Sequence, residues 1–171
     1  VPAPAPADRT MIAPASVVMQ ATAVAIADRA LLIEGPPGSG KSTLALALLD
    51  RGAALIGDDG VSLTADAGQL IASPPPNIAG LLEVRGVGLI RLPLAAPAPV
   101  ALILTLGGAP PARLPETPLA RRTIAGVCVP VLAFDPGGPA PALRADWALR
   151  LHGLTLNPAS LSHAAAQDGA Q

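Results

Sequence analysis

Gly35-Pro36-Pro37-Gly38-Ser39-Gly40-Lys41-Ser42 is the stretch that decides how this chain is read. It satisfies the phosphate-loop pattern G-x-x-x-x-G-K-[ST] at every fixed position. Ahead of it, Ala30-Leu31-Leu32-Ile33 is an uninterrupted apolar run, which reads as a strand buried on both faces. Behind it, Ser42 to Arg51 is rich in Ala and Leu and reads as a helix stopped by Gly52. Strand, glycine-rich turn and helix in that order point several backbone N–H groups and the positive end of the helix at one anion. The expected nucleotide-binding residues are Gly35, Pro36, Pro37, Gly38, Ser39, Gly40, Lys41, Ser42 and Thr43. Lys41 would reach the β- and γ-phosphates, and the Ser42 hydroxyl would ligate Mg²⁺.

The rest of the composition narrows the class. The chain has 171 residues, 51% apolar and 13% charged, which is one domain's worth of globular sequence. Phe134 and Trp147 are the only aromatics, so the core must come from Leu, Ile, Val and Ala. So few charges leave an apolar surface that suits an oligomer. A net charge of −1 carries no electrostatic footprint for nucleic acid or anionic lipid. Cys128 alone cannot form an internal disulfide, and its apolar strand-like setting implies a buried small residue. No apolar run is long enough to span a bilayer, and the first residues lack a signal-peptide layout, so a cytoplasmic protein is expected.

Along the chain, residues 1–15 alternate Pro with small residues and read as an extended arm, 16–156 as the P-loop domain, and 157–171 as a disordered tail. Val17, Val18, Val24 and Ile26 predict strands ahead of the loop, with a turn at Asp28-Arg29. Ala54-Leu55-Ile56-Gly57 predicts a further strand, and Asp66-Ala67-Gly68 the turn of a hairpin. Asn77 is placed to cap a helical turn through Leu81, and Glu83 to Ile90 reads as a loop running into a strand. Val100 to Leu106 is a strand, Gly107 to Thr123 a loop with solvated Arg121 and Arg122, and Val127 to Phe134 an edge or bulged strand because of Pro130. Leu143, Trp147 and Leu151 recur at helical spacing near the end. The fold class expected is α/β, a P-loop nucleotide-binding core with additional β-strands.

Phosphate chemistry needs a metal partner and a group that positions or deprotonates the nucleophile. Asp58-Asp59 ends an apolar strand one helix after the lysine, where a parallel neighbour would deliver it beside the phosphates. One carboxylate would serve the metal and the other the proton; the residues alone leave open which does which. Glu83 is a candidate second metal carboxylate, with an exposed pair to Arg85 as the alternative. Arg113 sits in the long loop as either a solvated side chain or a charge-stabilising arginine. His152 and His163 lie far apart and without partners for zinc or a nucleophilic triad.

Three blocks together resemble the bacterial HPr kinase/phosphorylases: Gly35–Ser42, Leu55-Ile56-Gly57-Asp58-Asp59, and Leu81-Leu82-Glu83-Val84-Arg85-Gly86-Val87-Gly88-Leu89-Ile90. The last is a signature of that family rather than of P-loops in general, and the match runs over about residues 16–150. The resemblance implies the short form, without an N-terminal regulatory domain, and a hexamer. It also implies transfer of phosphate from ATP, with Mg²⁺, to a serine of the phosphocarrier HPr, with reversal by phosphorolysis. By the same resemblance Lys41 and Ser42 keep their loop roles and Glu83 ligates Mg²⁺. Asp59 exchanges the proton beside Asp58, and Arg113 is functional. Two departures stand out. Gln20 occupies the place of a catalytic His upstream of the loop, and glutamine cannot exchange a proton near neutral pH. The run Pro130-Val131-Leu132-Ala133-Phe134-Asp135-Pro136 lacks the basic residues of the corresponding family segment. The alternative reading is therefore a nucleotide-binding regulatory module with little or no transfer.

Overall fold

In the computed structural model, which describes residues 14–77 and 80–155, the elements follow in chain order. They are β1 (Ser16–Met19), β2 (Thr22–Ile26), β3 (Arg29–Glu34), α1 (Lys41–Asp50), β4 (Ala54–Gly57), β5 (Val61–Asp66), β6 (Gln69–Ser73), β7 (Leu81–Val84), β8 (Gly88–Arg91), β9 (Ala98–Thr105), β10 (Arg121–Ile124), β11 (Val127–Ala133) and α2 (Pro141–His152). The apolar run before the loop is β3, and its side chains divide between two cores. Leu31 and Ile33 pack with Leu44, Leu48 and Leu149 of the helices. Ala30 and Leu32 face the other way, onto Leu63, Leu70 and Val129. Complete burial of each of these leucines and isoleucines contributes roughly 1.5–3 kcal/mol.

The sheet runs β1-β5-β6-β9-β3-β2-β4, with β11 also on β9 and β10 on β11. It curls, so that strands of one sheet supply both walls of the second core, giving a mixed α/β fold. Only β3–β9 and β9–β11 are parallel among the paired strands. β2 is antiparallel to β3 on one side and to β4 on the other. The expected parallel contact between the loop's strand and the Asp58-Asp59 strand is thus corrected: β2 stands between them. Because both neighbours oppose β2, they point the same way, and their C-terminal ends still open on one side.

Several local expectations change with the tertiary structure. The first hairpin turns at Ala27-Asp28, one residue earlier than expected. Leu81 begins a strand rather than ending a helical turn, and Ile78 and Ala79 lie outside the described residues. Glu83 to Gly88 is a hairpin, β7 paired with β8. Pro130 lies where β11 passes from one partner to another, bonded to β10 before it and to β9 after it. Cys128 is exposed: it lies in the part of β11 that pairs only with β10, which has no further strand partner among the described residues. Arg122 is not simply solvated: its Nη1 lies 2.6 Å from both carboxylate oxygens of Glu34, the residue before the loop. Half-exposed, that pair is worth at most about 1 kcal/mol, and its effect is to tie β10 to the loop's entry.

The final helix forms where expected, but its stripe faces outward. Leu143, Trp147 and Leu151 are exposed, while Ala142, Ala145, Ala148 and Leu149 are buried. Small residues let α2 approach α1 and the sheet closely, and the bulkier stripe is left on the far side. Asp146 is buried on the inner side and bonded to Arg150 one turn on. The arm through residue 13, the tail from residue 156 and His163 lie outside the described residues. Among the described residues no helix is long and apolar enough to cross a membrane.

Candidate active site

The loop turns from β3 into α1 against the end of β9. A Cβ on Gly35 would come within 2.9 Å of the Leu106 carbonyl oxygen and 2.5 Å of Ser39 Oγ, so only glycine allows this approach. The N-cap of α1 is Gly40, which brings no side-chain acceptor, and no side chain caps the helix. Its first backbone N–H groups are therefore available to an anion. Ser39 Oγ is buried with no hydrogen-bond partner among the described residues. Lys41 Nζ donates to the carbonyls of Gly35 at 2.8 Å and Pro36 at 3.1 Å, folded back along the loop.

The two aspartates part at the end of β4. A Cβ on Gly57 would sit 2.2 Å from the Gly60 carbonyl oxygen, so the missing side chain permits a tight reversal. Within that reversal Asp58 turns inward and is buried. Asp59 adopts a positive φ of 58° and is exposed. Asp58 Oδ1 accepts hydrogen bonds from Ser42 Oγ at 2.8 Å and Thr22 Oγ1 at 2.9 Å. Its Oδ2 faces the Glu83 backbone N–H at a long 3.5 Å. Asp58 is thereby tied to α1, β2 and β7 together, whereas Asp59 reaches the solvent side.

Pro37, Gly38, Gly40, Lys41, Ser42 and Thr43 line a cavity of about 300 Å³ with Asp59, Glu83 and Arg85. Asp58 sits behind Ser42. The loop, the aspartate pair and Glu83, named from three separate stretches, are thus brought to one place. Arg113 is not; it is exposed in the segment between β9 and β10, outside the cavity lining. Gln20 is exposed in the β1–β2 connection, two residues before Thr22. Arg85 and Thr22 were not singled out by sequence reasoning. Arg85, weighed in the sequence only as an exposed partner of Glu83, lies in the turn after β7 and lines the cavity beside it, and no ion pair joins them among the described residues. Thr22 is a lone hydroxyl in the run Ala21 to Ile26, and it is completely buried.

The donor chemistry suits a hard cation beside phosphate. Hydroxyl and carboxylate oxygens of Ser42, Asp59 and Glu83 border the cavity, and Asp58 backs it. Among the described residues no three His, Cys, Asp or Glu side chains cluster as a metal cage. A magnesium ion needs none, since it takes one or two carboxylates and completes its shell with phosphate and water. Uncapped helix N–H groups, an unpartnered buried hydroxyl and Lys41 fit the phosphates themselves.

Strand, glycine-rich loop and helix, backed by an aspartate and faced by a carboxylate hairpin, bring together the groups that an anion beside a hard cation would need. Comparison with known proteins is more specific. Residues 12–94 match the family model described as the HPr Serine kinase C-terminal domain. The HPr kinase/phosphorylase of Clostridium tetani is 48% identical over 63 residues, 37% of this chain and 21% of that protein. That of Brevibacillus brevis is 48% identical over 63 residues, 36% of this chain and 20% of that protein. The aligned stretch is thus about a fifth of the length of these curated relatives. The solved structure of the Hpr(Ser) kinase/phosphatase from Coxiella burnetii superposes with a TM-score of 0.68 at 28% identity, covering 80% of this chain and 95% of that one. Over residues 12–94 the chain is thus similar to the C-terminal domain of the HPr kinase family, and its fold is shared with a solved protein of that name.

Proposed function

We propose that this chain is a cytoplasmic ATP- and Mg²⁺-dependent kinase that phosphorylates a serine of an HPr-like phosphocarrier. The observation that carries the reading is the shared cavity of Lys41, Ser42, Asp59 and Glu83, on a fold shared with a kinase of that name. Residues 35–43 act as a P-loop, their backbone N–H groups and Lys41 holding the phosphates. Ser42 donates its proton to Asp58, which leaves the oxygen's lone pairs for the cation. Glu83 supplies the second protein oxygen. When bound, Mg²⁺ neutralises charge on the β- and γ-phosphates. Asp59, exposed at the cavity, takes the proton as the serine oxygen bonds to the γ-phosphorus and the bond to the β-phosphate oxygen breaks, releasing ADP. By the family resemblance Arg113, exposed between β9 and β10, assists at the γ-phosphate. Nucleic acid and membrane have no part in this chemistry.

The test is transfer of labelled γ-phosphate from ATP to a serine of purified HPr, and its dependence on Mg²⁺. The reverse reaction, attack of inorganic phosphate on serine-phosphorylated HPr to give pyrophosphate, is expected to be slow with Gln20. Gln20→His is expected to raise it by roughly tenfold or more, as a general acid–base group would. Equal reverse rates for the two proteins would exclude position 20 from the proton path.

We also propose that the chain assembles as a homo-oligomer, up to the hexamer that the family resemblance implies, through the outward face of α2. Leu143, Trp147 and Leu151 form an apolar stripe there, with Trp147 half exposed. Trp147→Glu is expected to lower the sedimenting mass of the native protein. A native chain that sediments as a monomer would contradict the assembly.

A further inference from the structure

The geometry points to Thr22 as a positioning residue that fixes the Asp58–Ser42 pair. This inference rests on the kinase reading of the same cavity and adds to it a side chain from a different strand. The insertion of β2 between β3 and β4 puts it there. Thr22 is the first residue of β2 and pairs with Ile33, two residues before Gly35, while Ala23 pairs with Gly57, one before Asp58. The N-terminal end of β2 therefore lies between the strand ends that launch the loop and the aspartate pair.

At that point the strand carries a hydroxyl where its neighbours are apolar. Ala21, Thr22, Ala23 and Val24 are all fully buried. A buried hydroxyl without a partner costs free energy, and valine would fill the same volume without one. Thr22 spends its donor on Asp58 Oδ1, at 2.9 Å. The same oxygen accepts from Ser42 at 2.8 Å, so Thr22 and Ser42 hold one carboxylate oxygen from two sides. With the carboxylate pinned, Ser42 has a fixed acceptor for its proton, and its own lone pairs stay on the cavity side. Without Thr22, Asp58 gains freedom to rotate and the hydroxyl loses its fixed direction. Groups that orient a metal ligand in this way are worth roughly 10- to 100-fold in affinity or activity.

The experiment compares the full chain with Thr22→Val, Thr22→Ser and Thr22→Ala by calorimetric binding of ADP, in EDTA and across a Mg²⁺ series, beside transfer to HPr. Thr22→Val is expected to raise the half-saturating Mg²⁺ concentration roughly tenfold or more, to leave ADP binding in EDTA unchanged, and to slow transfer at limiting Mg²⁺. Thr22→Ser, which restores the donor, is expected to return the native Mg²⁺ dependence. If the valine variant fails to fold by circular dichroism, Thr22→Ala carries the same expectation. Native Mg²⁺ dependence in a folded valine or alanine variant would overturn the assignment while leaving the kinase reading intact. Native protein whose ADP binding ignores Mg²⁺ would overturn both.

Discussion

Asp59→Asn is expected to leave ATP bound and to reduce phosphate transfer to HPr by roughly 10²- to 10⁴-fold, the range for loss of a general acid–base group. The substitution isolates one property. Asparagine has the shape of aspartate and tolerates the positive φ of 58° that Asp59 adopts, so the turn between β4 and β5 is retained. Asp59 is exposed at the cavity and makes no side-chain hydrogen bond among the described residues, so the substitution disturbs no packing. On the proposed mechanism, what goes is the capacity to accept the serine proton. Nucleotide binding and single-turnover transfer, measured on the same preparation, check the expectation. Native transfer by the asparagine variant would move the proton acceptor elsewhere.

Lys41→Met is expected to weaken both binding and transfer, a different signature. Its ammonium is held against the Gly35 and Pro36 carbonyls, within the loop where phosphate oxygens would sit. On the proposed mechanism its charge acts on the bound nucleotide as well as on the transition state. Removal of one such pre-placed electrostatic group costs roughly 10²- to 10³-fold in rate. Methionine keeps the unbranched stem, so the start of α1 is preserved. Equilibrium binding of ATP and the rate at saturating ATP separate the two effects. A variant with native affinity and native rate would exclude the lysine from the phosphate site.

The parts legible in the sequence are those whose physics is local. Gly35 to Gly52 announces a strand end, an uncapped helix start and a helix stop through residue types that act over a few positions. The Asp66–Gly68 hairpin is local in the same way, with Ala67 and Gly68 both at positive φ. Asp58-Asp59 was recognisable as a pair, but the division between them comes from Gly57 and Gly60, whose backbones almost touch. Contacts between distant strands left no trace in the sequence. Thr22 meets Asp58 across 36 positions and Glu34 meets Arg122 across 88, each through a topology that no short pattern encodes. The buried face of α2 was not legible for another reason. Helical spacing marks an apolar stripe without saying which stripe a neighbour covers, and here close packing selected alanines over Leu143, Trp147 and Leu151.

The central claim is that the cavity moves phosphate onto a protein serine. Its most direct measurement is intact-mass and site-resolved mass spectrometry of HPr incubated with this chain, ATP and Mg²⁺, with Asp59→Asn in parallel. The account predicts a single phosphate on a serine of HPr with the native chain, none above background with the variant, and none when Mg²⁺ is chelated. Bound ATP with unmodified HPr in every reaction would contradict it and leave a nucleotide-binding module without transfer.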